Sequence, residues 1–282
     1  MSDPMIMPAS HLFAHEAMHT TFYLRICEED ESVARDMAFQ CFEQIDLLEG
    51  RLSRFIEGSD VSRINHLPAG ETLYISPSCH ECLLLALDAY RQTWGLFDVT
   101  LGRQIAHRKS GSDGDIPVAA GRLVIHPDVP AVTCEEVGRE IDLGGIGKGF
   151  ALDQLKNFLI EWGAEGALLT AGASSLLAFG PQAWPVELAG SSCCMRIGLR
   201  NEALSASGIE IQGSHILHPA GDDAMPTVPC NRVWVTAPTA SLAEVWSTTL
   251  MLMDPEEIMD FIAGDESVHT VHVDRGGRIQ LI

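Results

Sequence analysis

The chain has 282 residues, 46% of them apolar, and carries 39 acidic against 18 basic side chains for a formal net charge of −21. That balance speaks against nucleic acid or an anionic membrane as the main partner, and no apolar run is long enough to form a membrane-spanning segment. The length permits one large domain or two smaller ones, either able to bury a substantial core.

The opening MSDPMIMPASHLFAHEAMHT has neither a basic start nor an apolar signal-peptide core. A cytoplasmic protein is expected, unless a leader has been removed. The eight cysteines form no obvious disulfide framework, which fits a reducing compartment. His19 to Ile26 alternates as a strand does, and Glu31 to Arg51 has helical periodicity, ending near Gly50. LSRFIEGSDVSRINHL, residues 52–67, reads as a loop rich in polar caps. Ser76-Pro77 is a good cap and first-turn pair for a helix that runs to Trp94 and stops at Gly95. Cys79-His80-Glu81-Cys82 inside it has C-x-x-C spacing, but no second pair completes a zinc site. FDVTLG follows at residues 97–102, and residues 108–117 read as an exposed loop.

Short strands are expected near Leu123–His126 and Arg139–Leu143, and ALLTAGASSLLAFG reads as strand, small-residue turn and strand. Further strands are expected near Met195–Leu199 and Arg232–Thr236. Ser241 to Met253 is helical, and a terminal hairpin turns around Gly276-Gly277. Strands and helices mix without a βαβ rhythm, so the expected class is α+β in a single domain over residues 1–282.

The stretch EIDLGGIGKGFALDQL, Glu140 to Leu155, carries the most chemistry. It is not a P-loop, because Gly149 follows Gly147-Lys148 where a hydroxyl should hold magnesium. Nor is it a dinucleotide fingerprint, because Gly145, Gly147 and Gly149 are spaced G-x-G-x-G. A strand, a glycine turn and a helix N-terminus nonetheless present free N–H groups and a positive dipole end to an anion, and Lys148 adds a full charge. The plainer reading is that the glycines let a strand pack close to a helix.

Six motifs in order resemble one family. HEAMHTTFYLRI is similar to its AMGTT opening, LSRFIEGSDVSRIN to its SRF…S-x-x-SR-x-N loop, and FDVTLG to its FDPTVG turn. EIDLGGIGKGFALD is similar to DLGGIAKGYAVD, LSASGIEIQGSHILHPAG to SG…HIIDPRTG, and VTAPTASLAEVWSTTLMLM to V-x-APTA-x-x-AD-x-LSTA. The family is the FAD:protein FMN transferases, or ApbE proteins, and the resemblance runs from about residue 17 to 253. It implies a T-fold-related arrangement of mixed sheets packed with helices. It also implies a flavoprotein-type transferase that binds FAD and Mg2+ and moves FMN onto a threonine of an acceptor protein. An FAD pyrophosphatase, or a catalytically silent FAD-binding or other ligand-binding protein on the same fold, is the alternative.

Carried over position by position, the resemblance assigns Met18, Phe55, Asp98, Val99, Thr100, Asp142, Lys148, Gly172, Ala173, Ser174 and Leu217 to the flavin substrate. It assigns the backbone of Gly145 together with Glu244, Ser247 and Thr248 to the metal, and His215 as base or orienting group. Glu244 and Thr248 are four apart on a helix and can face one ion. Ser241-Leu242-Ala243-Glu244 also reads as a capping box, which alone would explain the glutamate. The chain departs from the family at the supposed site: His218 replaces aspartate, Glu244 replaces aspartate, and His19 replaces a glycine.

Overall fold

The computed structural model describes residues 9–111, 114, 116–208, 216–262, 264 and 267–282. The opening hairpin consists of β1 (Ser10–Ala17) and β2 (Thr20–Cys27). Helices α1 (Glu31–Leu52) and α2 (Asp60–Asn65), strand β3 (Thr72–Tyr74) and helices α3 (Pro77–Gln92) and α4 (Gly102–Ser110) follow. Next come β4 (Arg122–Ile125), β5 (Ala131–Glu136), α5 (Gly147–Glu161), β6 (Gly166–Ala171) and β7 (Ser175–Phe179). The hairpin β8 (Trp184–Ala189) and β9 (Cys194–Leu199) precedes β10 (Glu202–Gly208) and β11 (Arg232–Ala237). The described chain ends with α6 (Ala240–Leu250), α7 (Pro255–Ile262), β12 (Thr270–Arg275) and β13 (Arg278–Leu281).

Eight strands form the main sheet in the order β1-β2-β6-β7-β10-β11-β12-β13, while β3-β5-β4 and β8-β9 make two small sheets. All ladders among these strands are antiparallel. The class is therefore α+β, with the sheet's two faces covered differently. Alternation decides which side chain goes where: Phe22, Leu24 and Ile26 of β2 are fully buried, while Tyr23 between them is exposed. That buried face meets α1, whose Ala34, Met37, Ala38, Cys41, Ile45, Leu48 and Leu52 recur at helical spacing. The opposite face carries Leu204 and Trp234 and lies under Trp184, Val186 and Leu188 of the β8–β9 hairpin.

Several expectations change. The loop at residues 52–67 contains α2, whose N-cap Ser59 accepts a hydrogen bond from the Ser62 N–H at 3.0 Å. Residues 139–143 are not a strand: Glu140 makes an isolated bridge to Leu101, and the pairing partner of β4 is β5, upstream. The exposed stretch from residue 108 begins as the last turn of α4. The C-x-x-C cysteines sit on α3, both fully buried. Burial pushes the Cys79 thiol up to about 12, so the pair is inert core.

Candidate active site

A cavity of about 680 Å³ opens where two turns and one strand end of the main sheet meet two helices. Its walls come from the β1–β2 turn, the β6–β7 turn, the end of β10, the start of α5 and one face of α6. Such a volume suits a cofactor-sized ligand.

One wall is a charge-pinned pair of loops. The Arg54 guanidinium donates to the Gly102 carbonyl at 2.8 Å, to Asp142 Oδ2 at 3.2 Å and to Glu140 Oε2 at 2.7 Å. This fork ties the loop after α1 to the glycine turn before α5. The other Asp142 oxygen accepts from the Gly144 N–H at 2.9 Å, so Asp142 braces its own turn as well as lining the cavity. Asp98 does the same in the FDVT turn, accepting from the Thr100 N–H and hydroxyl and from Arg139 at 3.1 Å.

The opposite wall is set by how closely α5 and α6 approach. A Cβ on Gly149 would overlap the Ala240 carbonyl, so glycine alone allows this crossing. Asp153 of α5 then caps α6, accepting from the Ala240 and Ser241 N–H groups at 2.8 and 2.9 Å and from the Ser241 hydroxyl at 2.6 Å. Burial raises the Asp153 carboxyl, and those hydrogen bonds oppose the rise. The N-cap of α6 is Thr239, whose hydroxyl accepts from the Leu242 N–H. The capping box expected at Ser241–Glu244 is therefore not formed, and Glu244 is free to serve the cavity.

Glu244 is nearly fully buried and lines the cavity. Its Oε1 accepts from the Ser175 hydroxyl and lies 3.1 Å from Lys148 Nζ. Its Oε2 is buried with no hydrogen-bond partner, which is costly unless something else satisfies it. Thr248, one turn on, also lines the cavity, and a Cβ on Gly145 would lie 3.8 Å from its Oγ1. Among the described residues no group of three or more His, Cys, Asp or Glu could cage a metal. The Glu244 carboxylate and the Thr248 hydroxyl are instead oxygen donors of the sparse kind on which magnesium retains waters and substrate phosphates. The residues present fit Mg2+ in that role.

Met18, Phe55, Val99, Lys148, Leu217 and the Gly172-Ala173-Ser174 turn join Asp98, Asp142, Gly145, Glu244 and Thr248 in the cavity wall. Gly172 has φ +62 and comes so close to the Thr20 hydroxyl that no side chain would fit. Thr100 stands just behind the wall, accepting from Arg139 at 2.9 Å. Ser247 is fully buried and turns toward the sheet, bonded to Ser205, Ser207 and the Glu244 carbonyl at 3.0–3.1 Å. His215 lies outside the described residues. His218 hydrogen-bonds its own turn through the Ala220 N–H, and burial lowers its pKa.

Reading the sequence missed Arg54, Ser175 and Glu49. Arg54 was visible inside the SRF motif. Ser175 and Glu49, whose carboxylate accepts from the Met18 N–H at 2.8 Å, act across the fold and left no local signal.

Known proteins carry the same arrangement of chain. The model of the ApbE family matches residues 18–271. The FAD:protein FMN transferase of Salmonella typhimurium is 22% identical over 90% of this chain and 82% of its own, and that of Klebsiella pneumoniae 22% over 88% and 79%. Among solved structures, the flavin transferase ApbE from Vibrio cholerae superposes with a TM-score of 0.80 at 17% identity, covering 97% of this chain and 96% of its own. The ApbE protein of Thermotoga maritima reaches 0.82 at 20% identity over 97% of both chains. With the family model spanning nearly all of the described fold, the chain belongs to the ApbE family.

Proposed function

We propose that the protein is a magnesium-dependent flavin transferase that cleaves FAD and moves its FMN half onto a threonine hydroxyl of another protein. The threonine oxygen bonds to the FMN phosphorus, the pyrophosphate P–O bond breaks, and AMP leaves with that oxygen. The relatives from Salmonella typhimurium and Klebsiella pneumoniae bear the name of this activity. The observation that carries the reading is the orphaned, buried Glu244 Oε2 in a cavity that also holds Lys148 and the start of α5.

This chain's own residues divide the work. Lys148 and the first N–H groups of α5 offer positive charge to a phosphate. Arg54, through Asp142 and Gly102, holds the turn that presents those groups. Ser175 and Lys148 fix one oxygen of Glu244 and leave the other buried without a partner. Glu244, Thr248 and the Gly145 carbonyl would hold Mg2+, which when bound neutralises the pyrophosphate and its leaving group. The departing hydroxyl proton needs an acceptor, and the family resemblance assigns His215. The cavity wall excludes bulk water with Leu52, Phe97, Val99 and Leu252.

The test is FAD binding and AMP release by the purified chain with an acceptor protein, in magnesium and in chelator. Magnesium-dependent AMP release abolished in Glu244→Ala supports the reading. FAD binding with no AMP release under any condition would make it a silent flavin-binding protein, the reading favoured by the engagement of Glu244 with Lys148.

A further inference from the structure

A second cavity, of about 270 Å³, lies on the far side of the β6–β7 turn, and Gly172, Ala173 and Ala206 line both it and the larger one. Leu168, Leu176 and Trp234 of the main sheet form its floor, and Pro185, Val186 and Glu187 of β8 form its outer wall. Apart from Glu187 its lining is apolar. The turn between the two cavities is fixed. The Gly172 N–H donates to the Thr21 carbonyl at 3.0 Å, and the Ala206 N–H to the Ser174 carbonyl at 2.8 Å. The next residue, Ser175, holds Glu244 through its hydroxyl. The second cavity is therefore one turn away from the carboxylate of the candidate active site.

Beside this cavity runs an open strand edge. Among the described residues β8 pairs with β9 alone. The Gly190 N–H donates to the Cys193 carbonyl at 2.9 Å, which makes these two a hydrogen-bonded pair. Alternation then turns the backbone groups of Ala189, Glu187 and Pro185 away from β9. Arg232 takes the Ala189 carbonyl at 2.6 Å. Pro185 has no N–H to offer, which suits an edge. Glu187 is left with an outward N–H and an outward carbonyl that have no partner among the described residues. Its side chain, 51% exposed, turns to Arg196 at 3.5 Å.

We propose that this edge and the second cavity form the docking groove for the acceptor protein. An extended acceptor segment adds to β8 through the backbone of Glu187. An apolar side chain of that segment fills the second cavity, and its threonine crosses the Gly172-Ala173 turn to the larger one. The inference rests on the transferase reading, which requires a threonine hydroxyl to arrive beside Glu244. Continuity identifies the occupant, because the groove shares a wall with the cavity that the acceptor must enter. A strand advances about 3.3 Å per residue, so two or three residues separate the apolar anchor from the threonine. Glu187 at the groove's edge and the net charge of −21 favour basic rather than acidic flanks on that segment.

The experiment uses the full chain with FAD and magnesium. The probes are short acetylated peptides of alanine and lysine carrying one threonine, with or without a leucine two or three residues from it. Calorimetry reads peptide binding, and mass spectrometry reads the flavinylated product. At one spacing leucine should raise affinity and the kcat/KM of transfer about 10-fold over alanine. Glu187→Pro removes the outward N–H and should weaken peptide binding about 3–10-fold, while Glu187→Gln keeps that N–H and most of the affinity. Leu176→Trp fills the second cavity and should erase the preference for leucine. FAD affinity should not change in these variants, because neither residue lines the larger cavity. Absence of peptide binding, or binding and transfer indifferent to leucine and to both Glu187→Pro and Leu176→Trp, overturns the groove. A homodimer that Glu187→Pro dissociates also overturns it, by making the edge a self-association surface. FAD binding with no transfer to any bound peptide overturns the transferase reading instead, and failure to bind FAD overturns the reading of the larger cavity.

Discussion

Replacing Arg54 with methionine keeps most of its volume and removes its charge. The guanidinium is 13% exposed and meets two carboxylates, Asp142 at 10% and Glu140 at 30% exposure, besides the Gly102 carbonyl. Hydrogen bonds to charged groups are worth roughly 1.5–3 kcal/mol each, and removing one partner of a buried pair costs roughly 3–5 kcal/mol. Neither figure applies in full. Glu140 is partly solvated and keeps Arg103 within 3.9 Å, so the larger part of the cost falls on Asp142. The expected loss is about 2–4 kcal/mol, read as a lower urea midpoint at unchanged slope. Adding Asp142→Asn to Arg54→Met should return part of that loss, because the stranded charge is gone. A loss under about 0.5 kcal/mol, or strictly additive single and double variants, would refute the view that this fork holds the glycine turn in place.

Gly149→Ala sets two effects of opposite sign against each other. Helix propensity alone would stabilise α5 by roughly 1 kcal/mol, but the new Cβ meets the backbone of Ala240 and Ser241, which cannot swing aside. The melting temperature should fall, and a rise would mean that the α5–α6 crossing is loose. His272 predicts a pH dependence. It is buried on β12 with Nδ1 unpartnered, and burial lowers its pKa from 6.5. The native state then binds fewer protons than the unfolded chain just below that value. Stability should be full above about pH 6.5 and decline as the pH falls through the lowered folded pKa. His272→Gln should decline less in urea unfolding at pH 5.5 against 7.5, and an identical decline would remove His272 as its source.

Features written in contiguous residues were legible in the sequence. The periodicity of α1 and the Ser76-Pro77 start of α3 reflect local hydrogen bonding and one-sided burial. Arg139–Leu143 misled because Ile141 and Leu143 are both buried, which mimics an alternating strand, although the backbone pairs with Leu101 through a single bridge. The short α2 was hidden because its length gives one turn and a half, too little for a periodic signal. The capping-box pattern at Ser241 misled for a different reason: a carboxylate from another helix, Asp153, took the Ser241 N–H and hydroxyl, and the helix began earlier at Thr239. Long-range partners decided the Arg139–Leu143 and Ser241 cases. The same holds at the site, where Lys148 and Glu244 could be named from motifs but their 3.1 Å pairing arises only from the α5–α6 crossing.

That pairing bears on how an acidic chain could hold a pyrophosphate at all. Across the whole protein acidic side chains outnumber basic ones by 39 to 18. Among the described cavity-lining residues the balance is even, with Arg54, Lys109, Lys148 and Arg232 facing Glu49, Asp98, Asp142 and Glu244. Three of the four cations are also engaged: Arg54 serves Glu140 and Asp142, Lys148 is paired to Glu244, and Arg232 donates to the Ala189 carbonyl at 2.6 Å. A dianionic pyrophosphate entering this cavity would meet no net positive charge from side chains to offset the cost of leaving water. A divalent cation at the unpartnered oxygen of Glu244 would supply that positive charge, and binding it would let Lys148 divide its charge between carboxylate and phosphate. On this argument metal and FAD should bind with positive coupling, each raising the affinity for the other by the same factor. Titrating FAD with and without magnesium, and magnesium with and without FAD, should give equal enhancement ratios. FAD affinity indifferent to magnesium would show that the cavity neutralises the pyrophosphate by other means.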